Sequence, residues 1–519
     1  MGMRKRVLWV DDEIEFLRSH IMFLETRGYS VYPVFSGDDA VELIQQNPSS
    51  YDIVLLDEQM PGKDGLTTLG EIKELEPDLP VVMVTKSEEE RVMEIALGKK
   101  IDGYLTKPVN PSQILLVCKK ILDSKQLISH QLSERYLRNY TENRTHIARP
   151  MSIVDWIRLY ESLVNWDIEL DRADNEGLRQ MQAGQKSDCN ALFCSSVAEN
   201  YARWVKGEGK PPLMSVDILD KVVVPQLREN KKVYLIVLSG MKLDQFAGIE
   251  SELRGMFSVG RKRYISSLPT TSEHTRASLF SGQYPEALKE PFPDFLASGY
   301  RDPSQIAKLV SWGLDRSGIS GLEPEVISHR DAADSQQLLS CAESATSGPS
   351  LVTVVVDVIG QFMQKHSCEM LLKEMAPDES AFRKLTQSWF QHSSVLQLLK
   401  KLSQTDSVVI LTSDHGHILC SRGTEVYGTK TLGENLRCIF GENLSADERR
   451  AVVLNELSHF KLPAPAPDCK CLMARENYYF IYPEKFEHYR KQYQNSFQYG
   501  GISMEEMIMP LCICRPLER

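Results

Sequence analysis

Asp11, Asp12, Asp57, Thr85 and Lys107 are residue types that could do chemistry together. Three carboxylates brought close repel one another unless a hard divalent cation such as Mg²⁺ joins them through oxygen ligands. One carboxylate is then held ready to accept a phosphoryl group as a nucleophile. Thr85 offers a hydroxyl to the new phosphate, and Lys107 offers a charge to pair with it. The positions support the idea. Asp11 and Asp12 follow the apolar run VLWV, Asp57 ends DIVLL, Thr85 ends VVMV, and Lys107 stands just before Pro108. Each closes a β-like stretch, so a parallel sheet gathers all five at the carboxyl end of its strands, where open α/β sheets bind ligands. The competing reading, polar residues scattered over surface turns, has to explain five such matches. The pattern predicts a phosphorylation switch.

Over roughly Arg4 to Ser124 this arrangement resembles the receiver domain of two-component response regulators. DEQMPGKDG (Asp57 to Gly65) follows that family's DxxMPxxDG closely. The resemblance implies that Asp57 is the phospho-acceptor and Asp12 the main Mg²⁺ ligand. Asp11 is then a supporting ligand, and Gln59 adds its main-chain carbonyl. Tyr104, three residues before Lys107, falls at the family's switch-aromatic position. Lys107–Pro108 is where the family has a cis peptide, which X-Pro bonds alone tolerate cheaply. Lys86 departs from the pattern, since a small residue usually follows the threonine. A long cation there is expected to slow access of water or a partner to the aspartyl phosphate.

The elements that must position these residues are legible in the hydrophobic pattern. Residues 4–124 alternate short β runs with helix-like stretches that begin near Glu13, Gly37, Gly65, Glu88 and Pro111, a doubly wound βα pattern. From about Leu122 to Gly207 apolar residues recur at helical spacing instead: Leu132, Tyr136 and Tyr140, then Ile153, Trp156, Ile157, Tyr160, Leu163 and Trp166. This reads as a connector of several helices whose aromatics form core. GEGKPPLM (Gly207 to Met214) breaks the pattern. After it come KKVYLIVLS (231–239), LVTVVVDV (351–358) and DSVVILTSD (406–414), continuous runs that fit strands buried on both faces of a parallel sheet. Helical stretches between them include Glu379 to Gln404. The expected architecture is a receiver at 1–124, an all-helical linker domain at 125–207 and an α/β domain at 208–519.

A chain of 519 residues is too long for one core, in keeping with three domains. Its 42% hydrophobic and 25% charged content is ordinary for a globular protein. A net charge of −11 gives no global basic field to hold nucleic acid or anionic lipid, although 60 Lys and Arg leave room for a local basic groove. MGMRKRVLWV runs straight into a strand, and no apolar run reaches the length of a membrane span. Among 11 cysteines the closest pairs, Cys469/Cys471 and Cys512/Cys514, are CxC, which on a strand reads as core more readily than as a metal clip. These features together suggest a cytoplasmic protein with reduced thiols.

The C-terminal region carries a second set of reactive types. Asp357 follows LVTVVV, Asp414 precedes His415 in TSDHGH, and the first of the three strands ends at Ser239. LPTTSEHTRASLFSG (268–282) reads as a turn leading into a helix, with Thr270, Thr271 and Ser272 at its start and Arg276 one turn on. Unpaired N–H groups at a helix start favour an anion, a natural phosphate cradle. Taken alone, Ser272 reads more readily as a helix cap than as a reactive hydroxyl. SDHG and the strand-terminal Asp move the reading toward chemistry.

From about Val216 onward this region resembles the PglZ domain of the alkaline phosphatase superfamily. FQYGGISMEEMIMPL (497–511) is close to the family's ending, normally HGGIS, an acidic helix and a proline; NLR (435–437) and SDHG (413–416) also match. A receiver, a helical middle and this domain, in that order, resemble the PorX-type response regulators, which are linked to the type IX secretion system. The resemblance implies two Zn²⁺ ions, to be checked ligand by ligand. One would use a first-strand Asp, the nucleophile hydroxyl and the Asp-His of SDHG, positions held here by Ser239, Ser272, Asp414 and His415. The other would use a middle-strand Asp, a His four residues on and the His of HGGIS, held here by Asp357, Gln361 and Tyr499. Asp244 lies five positions too far to replace the first-strand Asp.

Three usual ligands are therefore replaced. The second site keeps one carboxylate, short of the three or four ligands zinc requires. The first, with Asp414, His415 and a hydroxyl, is expected to hold an ion weakly, and two-metal catalysis needs both ions. His274 and His417 could substitute, but each reads as a solvated histidine. Serine at 272, where relatives often have Thr, is chemically acceptable as a nucleophile.

Two functions remain in view. In the first, Asp57 phosphorylation by a sensor histidine kinase controls a degenerate PglZ domain that acts as an output module. Its partner is then a sigma factor or a secretion-system component. The resemblance also implies a phosphorylation-dependent homodimer through the receiver face near Tyr104. In the second, the chain is a receiver-controlled, metal-dependent phosphodiesterase or phosphatase acting on oligonucleotides or cyclic nucleotides. Loss of three ligands favours the first. A DNA-binding regulator is disfavoured, because no helix-turn-helix pattern or clustered basic recognition helix appears.

Overall fold

The fold is described from a computed structural model over residues 4–86, 101–173, 175–329, 335–342, 349–357, 373–432, 435–483, 490 and 492–517. The expected helix near Glu88 and the residue Gln361 lie outside them. The chain divides into two compact units, Met1–Arg138 and Asn139–Arg519.

In the first unit, the apolar runs become strands β1 (Lys5–Val10), β2 (Tyr29–Val34), β3 (Ile53–Asp57), β4 (Val81–Thr85) and β5 (Gly103–Thr106). They pair in the order β2-β1-β3-β4-β5, all parallel. Successive side chains on a strand face opposite ways, so one run supplies two cores. Val7, Trp9, Leu55, Val82 and Val84 pack on one face with Leu24, Ile114 and Cys118. Leu8, Val10, Val54, Leu56 and Met83 pack on the other with Ala40, Ile44, Leu69 and Ile72. The covering helices are Arg18–Glu25 and the start of Pro111–Ile147 on the first face, Gly37–Gln46 and Gly65–Leu75 on the second. Ser36 and Asp64 cap the last two by accepting from the N–H groups of Asp39 and Thr67, each cap contributing about 1 kcal/mol. This is the CheY-like receiver fold.

In the second unit the helical pattern is realised as Ile153–Asp171, opened by a Ser152/Asp155 capping box, and Glu176–Val205. Trp156, Leu163, Phe193 and Val197 from these helices share a core with Ile265, Met504 and Ile508. A six-stranded sheet follows: β6 (Lys232–Leu238), β7 (Phe257–Ile265), β8 (Glu325–His329), β9 (Ser350–Val356), β10 (Ser407–Thr412) and β11 (Ile508–Pro516). The order is β7-β11-β10-β6-β9-β8, with β10, β6, β9 and β8 parallel and β11 antiparallel to both neighbours. The continuous apolar runs thus form a parallel centre buried on both faces. The helices Glu379–His392 and Ser394–Leu402 are separated at Ser393, whose extended backbone and side-chain cap start the second. A smaller, largely antiparallel sheet is built from residues 422–481. The described cysteines are all free and buried. Among the described residues no helix is long and apolar enough to cross a membrane.

Candidate functional site

At the carboxyl edge of the receiver sheet, Asp11 leaves β1 and Asp57 closes β3, and these strands are neighbours because β1 lies between β2 and β3. Asp11 and Asp57 are buried while Asp12 is exposed. One oxygen of each lies within 4.8 Å of the others, and among the described residues this is the one such group of three. The Lys107 Nζ donates to Asp57 Oδ2 at 2.8 Å and to Asp11 Oδ2 at 2.9 Å. Burial raises the Asp57 pKa above the ordinary carboxylate range; Lys107 and the Gln59 main-chain N–H oppose this only in part. For Lys107, burial pulls the pKa down, but hydrogen bonds to the two carboxylates outweigh it and hold the ammonium charged.

The Thr85 hydroxyl donates to the Glu58 carboxylate, beside Asp57 rather than to it. Gln59 is exposed, and Tyr104 is half exposed on β5. The Lys107–Pro108 peptide is cis, as the resemblance implied. A cavity of about 540 Å³, lined by Asp12, Glu58, Gln59 and Met60 among others, adjoins the acidic group. All the receiver residues expected from the strand ends therefore meet on one edge.

One glycine matters to this geometry. At Gly65 a Cβ would meet the Asp57 carbonyl oxygen at 2.2 Å, because the capped helix starts against the end of β3. Gly65→Ala should destabilise the receiver by about 1–3 kcal/mol through backbone displacement and weaken phosphorylation of Asp57. Urea melting and phosphate-affinity gels check this; native values for both would mean the helix start shifts freely.

In the second unit the sheet order β10-β6-β9 brings together the residues that follow those strands: Asp414, Ser239 and Asp357. A guanidinium stands among them. Arg276 donates from Nε to Asp414 Oδ2 at 2.9 Å, and from Nη2 to Ser239 Oγ at 2.7 Å and Asp357 Oδ1 at 3.2 Å. Its Nη1 donates to the Tyr300 carbonyl at 3.2 Å. Arg276 is 1% exposed. Asp414 also accepts from Ser239 Oγ and from the N–H groups of Gly240 and His415. Burial alone would raise the Asp414 pKa; His415, Arg276 and Gly240 reverse this and hold it at about 2.

Ser272 opens the helix Ser272–Ser281, with Thr271 as its N-cap residue. Its Oγ lies 2.9 Å from His415 Nε2, and His415 Nδ1 lies 2.8 Å from the Gly416 carbonyl. A carbonyl only accepts, so Nδ1 carries the proton and, in the neutral ring, Nε2 accepts from the Ser272 hydroxyl. Tyr499 stacks on His415 at 4.6 Å.

The two histidines expected to be solvated are both buried. His274 stacks on Phe440 and meets Thr271 Oγ1; His417 bonds the Gly240 carbonyl among Phe382 and Phe497. Burial drives the His417 pKa down to about 3. Polar neighbours in sequence hid this, because the first turn of the helix Ser272–Ser281 sets His274 against Phe440 and the loop after Asp414 turns His417 in against Phe382 and Phe497. Asp244 pairs with Arg383 at 2.7 Å and takes no part in the site. The NLR and GGISMEE motifs prove to be one contact: Arg437 and Glu506 form a fully buried ion pair at 2.6 Å.

Three family matches cover most of the chain. Residues 7–119 match the response regulator receiver domain, 126–205 the PorX response regulator linker domain, and 218–513 the BREX system PglZ alkaline phosphatase-like domain. Solved structures similar to the receiver include the CheX–CheY–BeF₃–Mg²⁺ complex of Borrelia burgdorferi (26% identity, 23% of this chain and 90% of that one, TM-score 0.23). Others are a CheY-like receiver domain protein of Methanospirillum hungatei JF-1 (30% identity, 23% and 95%, TM-score 0.22) and the NtrX receiver of Brucella abortus (28%, 22% and 98%, 0.21).

Proposed function

Because the chain belongs to the PglZ alkaline phosphatase-like family and, with its receiver and PorX linker, to the PorX-type response regulators, we propose that it is a phosphorylation switch with a non-catalytic output domain. A receiver implies a sensor histidine kinase as phosphodonor. Asp57 is the proposed acceptor. A carboxylate oxygen attacks phosphorus, the P–N bond of the donor phosphohistidine breaks, and its electron pair stays on the imidazole nitrogen. Asp11, Asp12 and Asp57, a hard oxygen set within reach of one ion, fit Mg²⁺, with the Gln59 carbonyl as a further ligand. The ion supplies charge neutralisation between carboxylate and phosphoryl group. Lys107 then exchanges its bond with the Asp57 carboxylate for one with the phosphoryl oxygens. Thr85 leaves Glu58 to donate to the phosphate, and Tyr104 follows it inward.

Arg276 carries the reading of the output domain. A fixed guanidinium is already ion-paired with both Asp414 and Asp357, the carboxylates a zinc pair would need. Ser239 is a hydrogen-bonding partner of that guanidinium, not a metal ligand. The domain then works by presenting a surface, with a sigma factor or a type IX secretion component as the proposed partner. The proposed compartment is the cytoplasm, where a kinase phosphohistidine stands. A change in homodimerisation through the face near Tyr104 is the proposed response to phosphorylation.

One observation favours the alternative of a phosphodiesterase. Ser272 donates to His415 at a helix start, so it retains a base. Hydrolysis of bis(4-nitrophenyl) phosphate with excess Zn²⁺ or Mn²⁺ separates the two, comparing the native chain with Ser272→Ala. The expected result is no turnover above buffer in either. Turnover that disappears in Ser272→Ala would replace this reading with a metal-dependent enzyme under receiver control.

A further inference from the structure

The Thr85 hydroxyl is engaged before any phosphate arrives, and the sheet itself supplies its partner. Strands β3 and β4 pair with Asp57 opposite Val84, so the next residues, Glu58 and Thr85, stand side by side where both strands end. The Glu58 backbone is pinned there. Its N–H donates to the Val84 carbonyl at 2.8 Å, and its carbonyl accepts from the Gly65 N–H at 2.9 Å. Thr85 is 6% exposed, and its Oγ1 donates to Glu58 Oε2.

A threonine hydroxyl carries one proton. It can donate to Glu58 or to a phosphoryl oxygen on Asp57, and not to both. A carboxylate acceptor makes the bond to Glu58 charge-assisted, about twice as strong as a neutral one. Tyr104 stands in the matching state: it is half exposed on β5, opposite Met83 of β4.

We propose that Glu58 is a positioning residue that holds the receiver in its unphosphorylated arrangement by competing with the phosphoryl group for the Thr85 proton. This rests on Asp57 as the acceptor. On phosphorylation the hydrogen bond from Thr85 to Glu58 breaks and one from Thr85 to a phosphoryl oxygen forms, the proton staying on Thr85 throughout. The switch therefore responds to the difference between two strong bonds. A chain with an apolar residue at 58 would have no first bond to break. Glu58 thereby raises the level of phosphodonor needed to turn the receiver on.

Beryllofluoride, which takes the place of the phosphoryl group on a carboxylate, tests this at equilibrium. Its binding to the full chain is followed by ¹⁹F NMR at Mg²⁺ saturating for each variant, with a melting curve to establish folding. Glu58→Met should tighten binding about tenfold, the effect of removing one charge-assisted hydrogen bond from the resting state. In a Thr85→Val background no proton is contested, and the same substitution should change affinity by no more than about twofold. Thr85→Ala replaces Thr85→Val if the latter does not fold. Equal tightening in both backgrounds would mean that Glu58 acts by charge repulsion, which overturns the proposal. Native or weaker affinity in Glu58→Met overturns it too, and leaves Asp57 as the acceptor. Beryllofluoride bound by neither the native chain nor Glu58→Met would remove the acceptor reading and the proposal together.

Discussion

Arg276→Met should destabilise the C-terminal unit by about 3–5 kcal/mol, the usual consequence of removing one partner from a buried ion pair. Methionine fills much of the same volume, so the loss reports on charge and hydrogen bonds and not on a void. Asp414 and Asp357 would be left as neighbouring carboxylates with no guanidinium between them, and Ser239 Oγ would lose its donor. Urea melting monitored by tryptophan fluorescence gives the magnitude. Acid titration of stability gives a second readout. The Asp414 pKa of about 2 lies below the unfolded value of about 3.9. Its contribution is therefore complete above that unfolded value and is lost as the pH falls toward 2. In Arg276→Met this acid limb should shrink, because the carboxylate is no longer held down. The variant should also gain a Zn²⁺-dependent rise in melting temperature that the native chain lacks. Native stability and an unchanged acid limb would show that the guanidinium is not what neutralises the site.

Asp57→Ala should abolish Mg²⁺-dependent labelling of the chain by acetyl phosphate. The loss should be complete, because Asp57 has the carboxylate that Lys107 meets at 2.8 Å at the end of β3, and a cavity lined by Asp12, Glu58 and Gln59 lies beside it. The receiver should stay folded: Lys107 retains Asp11 at 2.9 Å, and the apolar residues of β3 are untouched. Intact-protein mass spectrometry reads the result directly. Label persisting on another residue would refute the assignment of Asp57.

The receiver was legible because its reactive residues sit at strand ends. A run such as VLWV or DIVLL announces a two-faced buried strand, and the residue after it is placed by the sheet itself. The same logic located Ser239, Asp357 and Asp414, whose strands turned out to be neighbours. The role of Arg276 was not legible. Its position one turn after Ser272 was plain, but its reach to three strand ends depends on the order β10-β6-β9, which no local pattern encodes. The burial of His274 and His417 escaped for a related reason. Both stand among polar residues, and what covers them, Phe440 for one and Phe382 and Phe497 for the other, comes from distant parts of the chain. Asn190 shows the same limit: it reads as a polar helix residue, yet it bonds Glu505 Oε2 and the Met504 N–H at 2.8 Å across the linker boundary.

Strand β11 lies between β7 and β10, pairing Ile508 with Ile265 and Leu511 with Thr412. During synthesis, β7 leaves the ribosome long before the strand it pairs with along its length has been made, and β10 waits for the partner on one of its edges. An unpaired strand edge is a template for aggregation, and contacts so distant along the chain form slowly. The C-terminal sheet can close only after translation has passed Pro516, while the receiver, whose strands pair within its first 106 residues, has every partner it needs far earlier. A newborn chain is thus expected to carry a finished receiver on an unfinished output domain.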